Sequence, residues 1–267
     1  MTSSPNNQVQ TEPAHQSIMD ACKSGDLEKL QQLFRDANVK EGDNPVLPHP
    51  QPDGATSPAP VTVDLLTTAV AHRHPHIVAF LLSTYPKVRV DYESVLQAAF
   101  QNPHLDTFKL LHAHQPGIVL HEFDPWRNAL SEACDGGKSD PTIPDYLIDH
   151  GAAESEAAGG PRGTPLGAAI LSGQPLQLIQ KMISNGVPLG HLHVSLCLTA
   201  KRADVLQFLL ESPSLSLSTD EVQQDLARSK EIGDANLVSV IENYIQNTRS
   251  DGGSRSNGIW NFLKRST

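Results

Sequence analysis

The sequence predicts an all-α solenoid of stacked helix-turn-helix pairs, and three observations carry that prediction. The first is a recurrence: an apolar residue followed three positions later by a small one appears seven times, each copy leading through a break into a second apolar helix. The small positions are Ala21, Ala69, Ala99, Ala133, Ala169, Cys197 and Ser229, and their apolar partners are Ile18, Leu66, Leu96, Leu130, Leu166, Val194 and Leu226. Five of the six intervals between small positions lie from 28 to 36 residues, and the first, of 48, contains an insertion. A period of this length marks a repeat architecture, in which each unit buries its apolar face against its neighbours. The second observation is that aromatic residues make up only 5% of the chain, which suits helices packed through Ala and Leu. The third is complete helix punctuation in one stretch. Thr164 caps a helix, Pro165 sits in its first turn where a missing N–H costs nothing, Ala168 and Ala169 admit a neighbouring helix, and Gly173 ends it.

In chain order, residues 1–13 are polar and are expected to be disordered. The first pair follows, with Ile18 to Cys22 in its first helix, Gly25 as its stop and Leu27, Leu30 and Leu33 at helical spacing. Residues 37–61 hold six prolines with Gly42 and Gly54, a composition that continues neither helix and reads as a flexible Pro-rich insertion. Closure entropy grows only logarithmically with loop length, so the first pair can still dock on the second. The second and third pairs place Ile77, Val78, Phe80, Leu81 and Leu82, then Phe108, Leu110 and Leu111, on their second helices. The fourth closes at Gly151-Ala152, where Gly151 supplies a left-handed cap, and a Gly-rich turn over 154–163 leads to the fifth. The sixth has Lys201-Arg202 where a glycine stop is expected, and the seventh keeps Gly233 and exposes Arg228, Lys230 and Glu231 as a terminal unit should. The repeat domain is therefore placed at 14–247, followed by a flexible basic and aromatic tail at 248–267.

The segment Thr164-Pro165-Leu166-Gly167-Ala168-Ala169 resembles the T-P-L-H-x-A signature of the ankyrin repeat family, with Gly167 in place of the histidine. Gly151-Ala152 is similar to the family's ending after the second helix. The resemblance extends over seven divergent copies and implies a non-enzymatic adaptor or regulatory scaffold that binds another protein. In that family, partners meet the hairpin tips and the exposed positions of the first helices, which line a concave groove. Carried onto this chain, those positions are Val90, Asp91 and Glu93 with Gln101 and Asn102, then Asp124, Pro125, Trp126 and Arg127 with Asp135. Pro161 and Arg162, and Leu189 and His191, follow before the fifth and sixth pairs. Trp126 is the strongest of them, because tryptophan is enriched among binding hot spots and Arg127 beside it offers a directional contact. The opposing reading folds Trp126 down onto Phe123 as a local cap.

Composition narrows the function classes. A net charge of −10 argues against a general nucleic-acid binder or an anionic-membrane binder, since phosphate neutralisation needs a basic surface. Cys22, Cys134 and Cys197 fall at or beside the small positions of separate pairs, which reads as buried packing rather than a disulfide framework or zinc site. With no apolar signal core before residue 16 and a longest apolar run of six residues at 77–82, a cytoplasmic or nuclear setting is expected.

Gly136-Gly137-Lys138-Ser139 looks like the end of a phosphate loop, but Glu132 stands where its first glycine is required and would repel phosphate. His72, His74 and His76 crowd three imidazoles into five residues and supply the alternative reading, a metal-dependent or small-molecule sensor or enzyme. A structural turn is the simpler account. No catalytic residue, cofactor or metal is expected. Trp260, Phe262 and Leu263, followed by Lys264 and Arg265, mark the tail as a latch on the stack or a peptide for a partner, with plain disorder as the third reading.

Overall fold

The computed structural model describes residues 8–47, 59–137, 139–152 and 164–250. These residues form an all-α fold of fourteen α-helices. In pairs the helices are α1 (Gln8–Ser24) and α2 (Leu27–Asp36), α3 (Thr62–Ala71) and α4 (Pro75–Thr84), and α5 (Glu93–Gln101) and α6 (Leu105–His114). Next come α7 (Ala129–Gly136) and α8 (Thr142–Asp149), α9 (Pro165–Leu171) and α10 (Leu176–Ser184), α11 (His191–Ala200) and α12 (Ala203–Glu211), and α13 (Thr219–Ile232) and α14 (Ala235–Ser250). A short 3₁₀ turn at Pro116–Leu120 and a small antiparallel hairpin, β1 (Glu122–Asp124) with β2 (Arg127–Asn128), lie between α6 and α7. Among the described residues, no helix is long and apolar enough to cross a membrane.

The odd-numbered helices pack in one row, each against the next from α1 to α13, and α4 to α14 form the second row in the same way. Helix α2 joins that second row through Phe34, whose ring lies 5.4 Å from Phe80. All seven small positions are buried in the first row, from Ala21 to Ser229. Their apolar partners are buried as well, except Leu226 in the last pair, which is partly buried. Only a side chain of Ala size lets adjacent helix backbones approach closely without a void or a clash, which is why the register is kept.

Each turn must reverse the chain within a few residues, and most do so with one left-handed residue. Gly25, Gly173 and Gly233 take φ near +72 to +74°, a region a glycine enters without a Cβ penalty. The sixth pair reaches the same geometry without glycine, since Lys201 itself adopts φ 54°, and Arg73 does so at 59° in the second. The residue following this turn often reaches back to the preceding pair. His74 Nε2–H donates to the Lys23 carbonyl at 3.1 Å, Gln174 Nε2 to the Cys134 carbonyl at 2.9 Å, and Arg202 to the Gln174 carbonyl at 2.8 Å. At Gly25 the approach is so close that an added Cβ would lie 2.8 Å from the His74 ring.

Three boundaries differ from the sequence-based expectation. Helix α1 starts at Gln8, ahead of the boundary expected at residue 14, and α14 runs to Ser250, past the one expected at 247. Polar residues extend a helix readily when its other turns are docked. The described part of the insertion at 37–61 is tied to the second pair. Val46 N–H donates to the buried Thr62 hydroxyl at 2.9 Å, Thr62 N–H returns to the Val46 carbonyl at 3.0 Å, and Gly42 N–H meets the Thr84 carbonyl at 3.0 Å. Residues 48–58, the Gly-rich turn at 153–163 and the tail at 251–267 lie outside the described residues.

Two histidines tie this packing to pH. Burial, followed by the neighbouring His150, lowers the pKa of His112, whose Nδ1 meets the Tyr146 hydroxyl at 2.8 Å. Burial likewise lowers that of His193, whose Nδ1 accepts the Gly190 N–H at 3.1 Å and whose Nε2 has no hydrogen-bond partner among the described residues. Both groups take up a proton more readily in the unfolded chain, so the stability they contribute is present above about pH 6.5 and is lost as pH falls from there through the lowered folded pKa values. The urea midpoint is therefore expected to drop between about pH 7 and about pH 5.5, and His193→Gln should flatten that slope. An unchanged slope in the variant would show that His193 is not the titrating group.

Candidate functional site

The hairpin before α7 gathers the strongest sequence candidates. Asn128 and Ser131 cap α7 reciprocally, Ser131 N–H to Asn128 Oδ1 at 2.9 Å and Asn128 N–H to Ser131 Oγ at 3.0 Å, which anchors β2 on the helix. At the tip, Asp124 Oδ1 accepts the Trp126 N–H at 2.7 Å, and its Oδ2 accepts Arg127 Nε–H at 2.7 Å. Arg127 then bridges outward to Glu132 in α7 at 3.3 Å and to Glu93 in α5 at 3.4 Å. Its guanidinium also lies over the Phe123 ring at 5.8 Å, and Phe123 rests on the buried Phe100. Trp126 is left 58% exposed, the most exposed of the large apolar side chains described.

The electrostatics follow from these contacts. The Arg127 guanidinium, with help from the Trp126 N–H, holds the Asp124 carboxyl below the usual range, and Asp124 in turn raises the pKa of Arg127. Glu132 moves the other way, because burial outweighs the attraction of Arg127. Exposed ion pairs contribute little to stability, so the effect of this network is positional. It locks the hairpin to α5 and α7 and directs the tryptophan into solvent.

The other predicted positions separate clearly. Asp91 is held by Arg89 through two contacts of 3.0 and 2.7 Å, and Asn102 caps its own helix by donating to the Ala98 carbonyl at 3.1 Å. His191 contacts the buried Asp225 at 2.9 Å and Glu221 at 3.4 Å, so it joins α11 to α13 instead of standing free at a tip. All three therefore make internal contacts. Asp135 accepts the Ser172 hydroxyl at 2.9 Å but remains exposed, as do Gln101 and, at 57%, Glu93. Arg162 lies outside the described residues.

The structure also contributes residues that the sequence reading did not select. Glu132 is the third carboxylate on Arg127, and its sequence signal was only its nearness to the tip charge. Among the described residues, Leu47, Leu120 and Leu192 are, with Trp126, the exposed large apolar residues, and all four fall in the connections after second helices or in the first turn that follows. In an antiparallel helix pair those connections share one edge of the stack, so its solvent-facing apolar surface lies on the tip side.

The histidine cluster has a different character. His72 bonds the Thr68 carbonyl at 2.9 Å, His74 that of Lys23 and His76 that of Gly25 at 2.8 Å. Each ring thus spends a nitrogen on backbone, and two of them join the second pair to the first. Among the described residues, no group of three His, Cys, Asp or Glu side chains is placed to hold a metal ion. The three cysteines are buried, and burial pushes the thiols of Cys22 and Cys197 up to about 12, which leaves no reactive thiolate at neutral pH. No protein-family model and no curated protein matches this chain.

Proposed function

We propose that the chain is a non-enzymatic, ankyrin-type adaptor that binds another protein through its hairpin tips and first-helix row, with Trp126 as the principal contact. The observation that carries this reading is the exposed Trp126, held outward by an Arg127 network whose contacts come from three segments. A large apolar side chain on a fixed hairpin buries much area for little lost entropy, which is how hot spots arise. Glu93, Gln101 and Asp135 supply a polar rim on the adjoining helices. The confinement of exposed Leu47, Leu120 and Leu192 to the same edge supports the choice of surface.

Trp126→Ala tests it. Affinity purification from native cells with the intact chain and with the variant, followed by quantitation of the recovered partner, should show a loss of about 2 kcal/mol in binding, or roughly thirtyfold. The unfolding free energy should change by less than about 0.5 kcal/mol, because the side chain is exposed. Equal recovery of the partner by both chains, with helices intact, would remove Trp126 from the site.

A further inference from the structure

We propose that the basic, aromatic segment at 259–265 folds back onto the last helix pair of its own chain and seats its rings beside Tyr244. Two depressions flank α14. One, of about 260 Å³, lies against α12 and is lined by Leu210, Glu211, Val240 and Tyr244 among others. The second, of about 300 Å³, lies against α13 and is lined by Leu217, Val222, Tyr244 and Ile245 among others. Val240, Tyr244, Ile245 and Leu217 are only partly buried. They lie where both helix rows end, so no further helix pair among the described residues covers them.

The chain itself names the occupant. It continues for 17 residues beyond Ser250, the last residue of the helix that lines both depressions. Residues 251–258 read Asp-Gly-Gly-Ser-Arg-Ser-Asn-Gly, with no apolar side chain, and Ile259, Trp260, Phe262 and Leu263 follow directly. Eight linker residues reach up to about 28 Å, whereas Tyr244 lies six residues before Ser250, only about 9 Å along the helix. Charge agrees with the geometry. Residues 251–267 carry Arg255, Lys264 and Arg265 against Asp251, and the end they would meet presents Glu211 and Asp220 in solvent, with Glu221 and Glu242 already engaged by Ser218 and Lys230. A tether this short holds the segment at an effective concentration on the order of millimolar, so weak apolar contacts suffice.

The protein has two tryptophans, so full-length Trp126→Phe leaves Trp260 as the only tryptophan, which is excited selectively at the red edge of the absorption band, away from the four tyrosines. Its emission is expected to be blue-shifted, and its acrylamide quenching several-fold weaker, relative to a free peptide of residues 251–267. Tyr244→Lys, which adds a repelling charge, should return both readouts to those of the peptide while circular dichroism stays unchanged. Leu217→Lys, outside the helices, provides the same test if the first variant loses helix. Peptide-like emission in the parent protein would overturn the proposal. So would a shift that survives both variants, or one that grows with protein concentration, which would place the tail on a second copy.

Discussion

Phe108→Ala is expected to lower the unfolding free energy by about 3 to 5 kcal/mol, the usual loss when a buried ring is removed and the site cannot collapse. The ring is 1% exposed and bridges three helices. It lies in α6, with its centroid 6.0 Å from Phe100 in α5 and 5.7 Å from Tyr146 in α8. The vacancy would therefore open both within one helix pair and at the interface with the next. Because the helices of the two rows contact chiefly their neighbours, each interface is a separate contribution to stability, and weakening one can uncouple the pairs on either side. Urea unfolding should show a lower midpoint, and a shallower or split transition if the units separate. A loss below about 1 kcal/mol would mean that the ring is not packed between neighbouring pairs.

Ala169→Leu should be nearly as damaging for the opposite reason. Ala169 is fully buried in α9, with α7 on one side and α11 on the other, and its methyl group fills the space between the backbones. Three additional carbons must push a helix aside or adopt an off-rotamer geometry, at a cost of about 1 to 3 kcal/mol. Ala169→Gly separates this effect from simple sensitivity of the site, since it removes volume and should cost about 1 kcal/mol through backbone entropy. The expected order of thermal midpoints is parent, then Gly, then Leu. A Leu variant as stable as the parent would show that the first row is not close-packed at this position.

Much of this architecture was legible because a helix row that must pack closely on both sides tolerates few residue types. The seven small positions were read in register from the repeat signature and its spacing, and all are buried. The Thr164 cap was equally readable, and its hydroxyl accepts the Gly167 N–H at 3.1 Å. The turns were legible only where glycine occupies them. Arg73 and Lys201 take the same left-handed conformation with no residue preference to announce it, so Lys201-Arg202 read as a lost stop. The proline-rich composition after α2 correctly excluded helix, but gave no sign that Thr62 and Thr84 would hold its near end.

The candidate site divides along the same line. Trp126 was selected from residue type and tip position, yet whether it packed down on Phe123 or projected outward depended on where Arg127 went. Arg127 reaches Glu93 across 34 residues, and His191 reaches Asp225 across the same separation. Such contacts join one helix pair to the next, so local spacing cannot reveal them. By itself the sequence determined the helix pairs, their register and the edge on which the tips lie, because periodic burial is a local property of each helix. Only the tertiary structure decided which tip residues are engaged internally and which are presented. Asp91 and Asn102 are engaged by partners two and four residues away, but Arg127 and His191 depend on partners 34 residues away, a separation that closes only when neighbouring helix pairs pack.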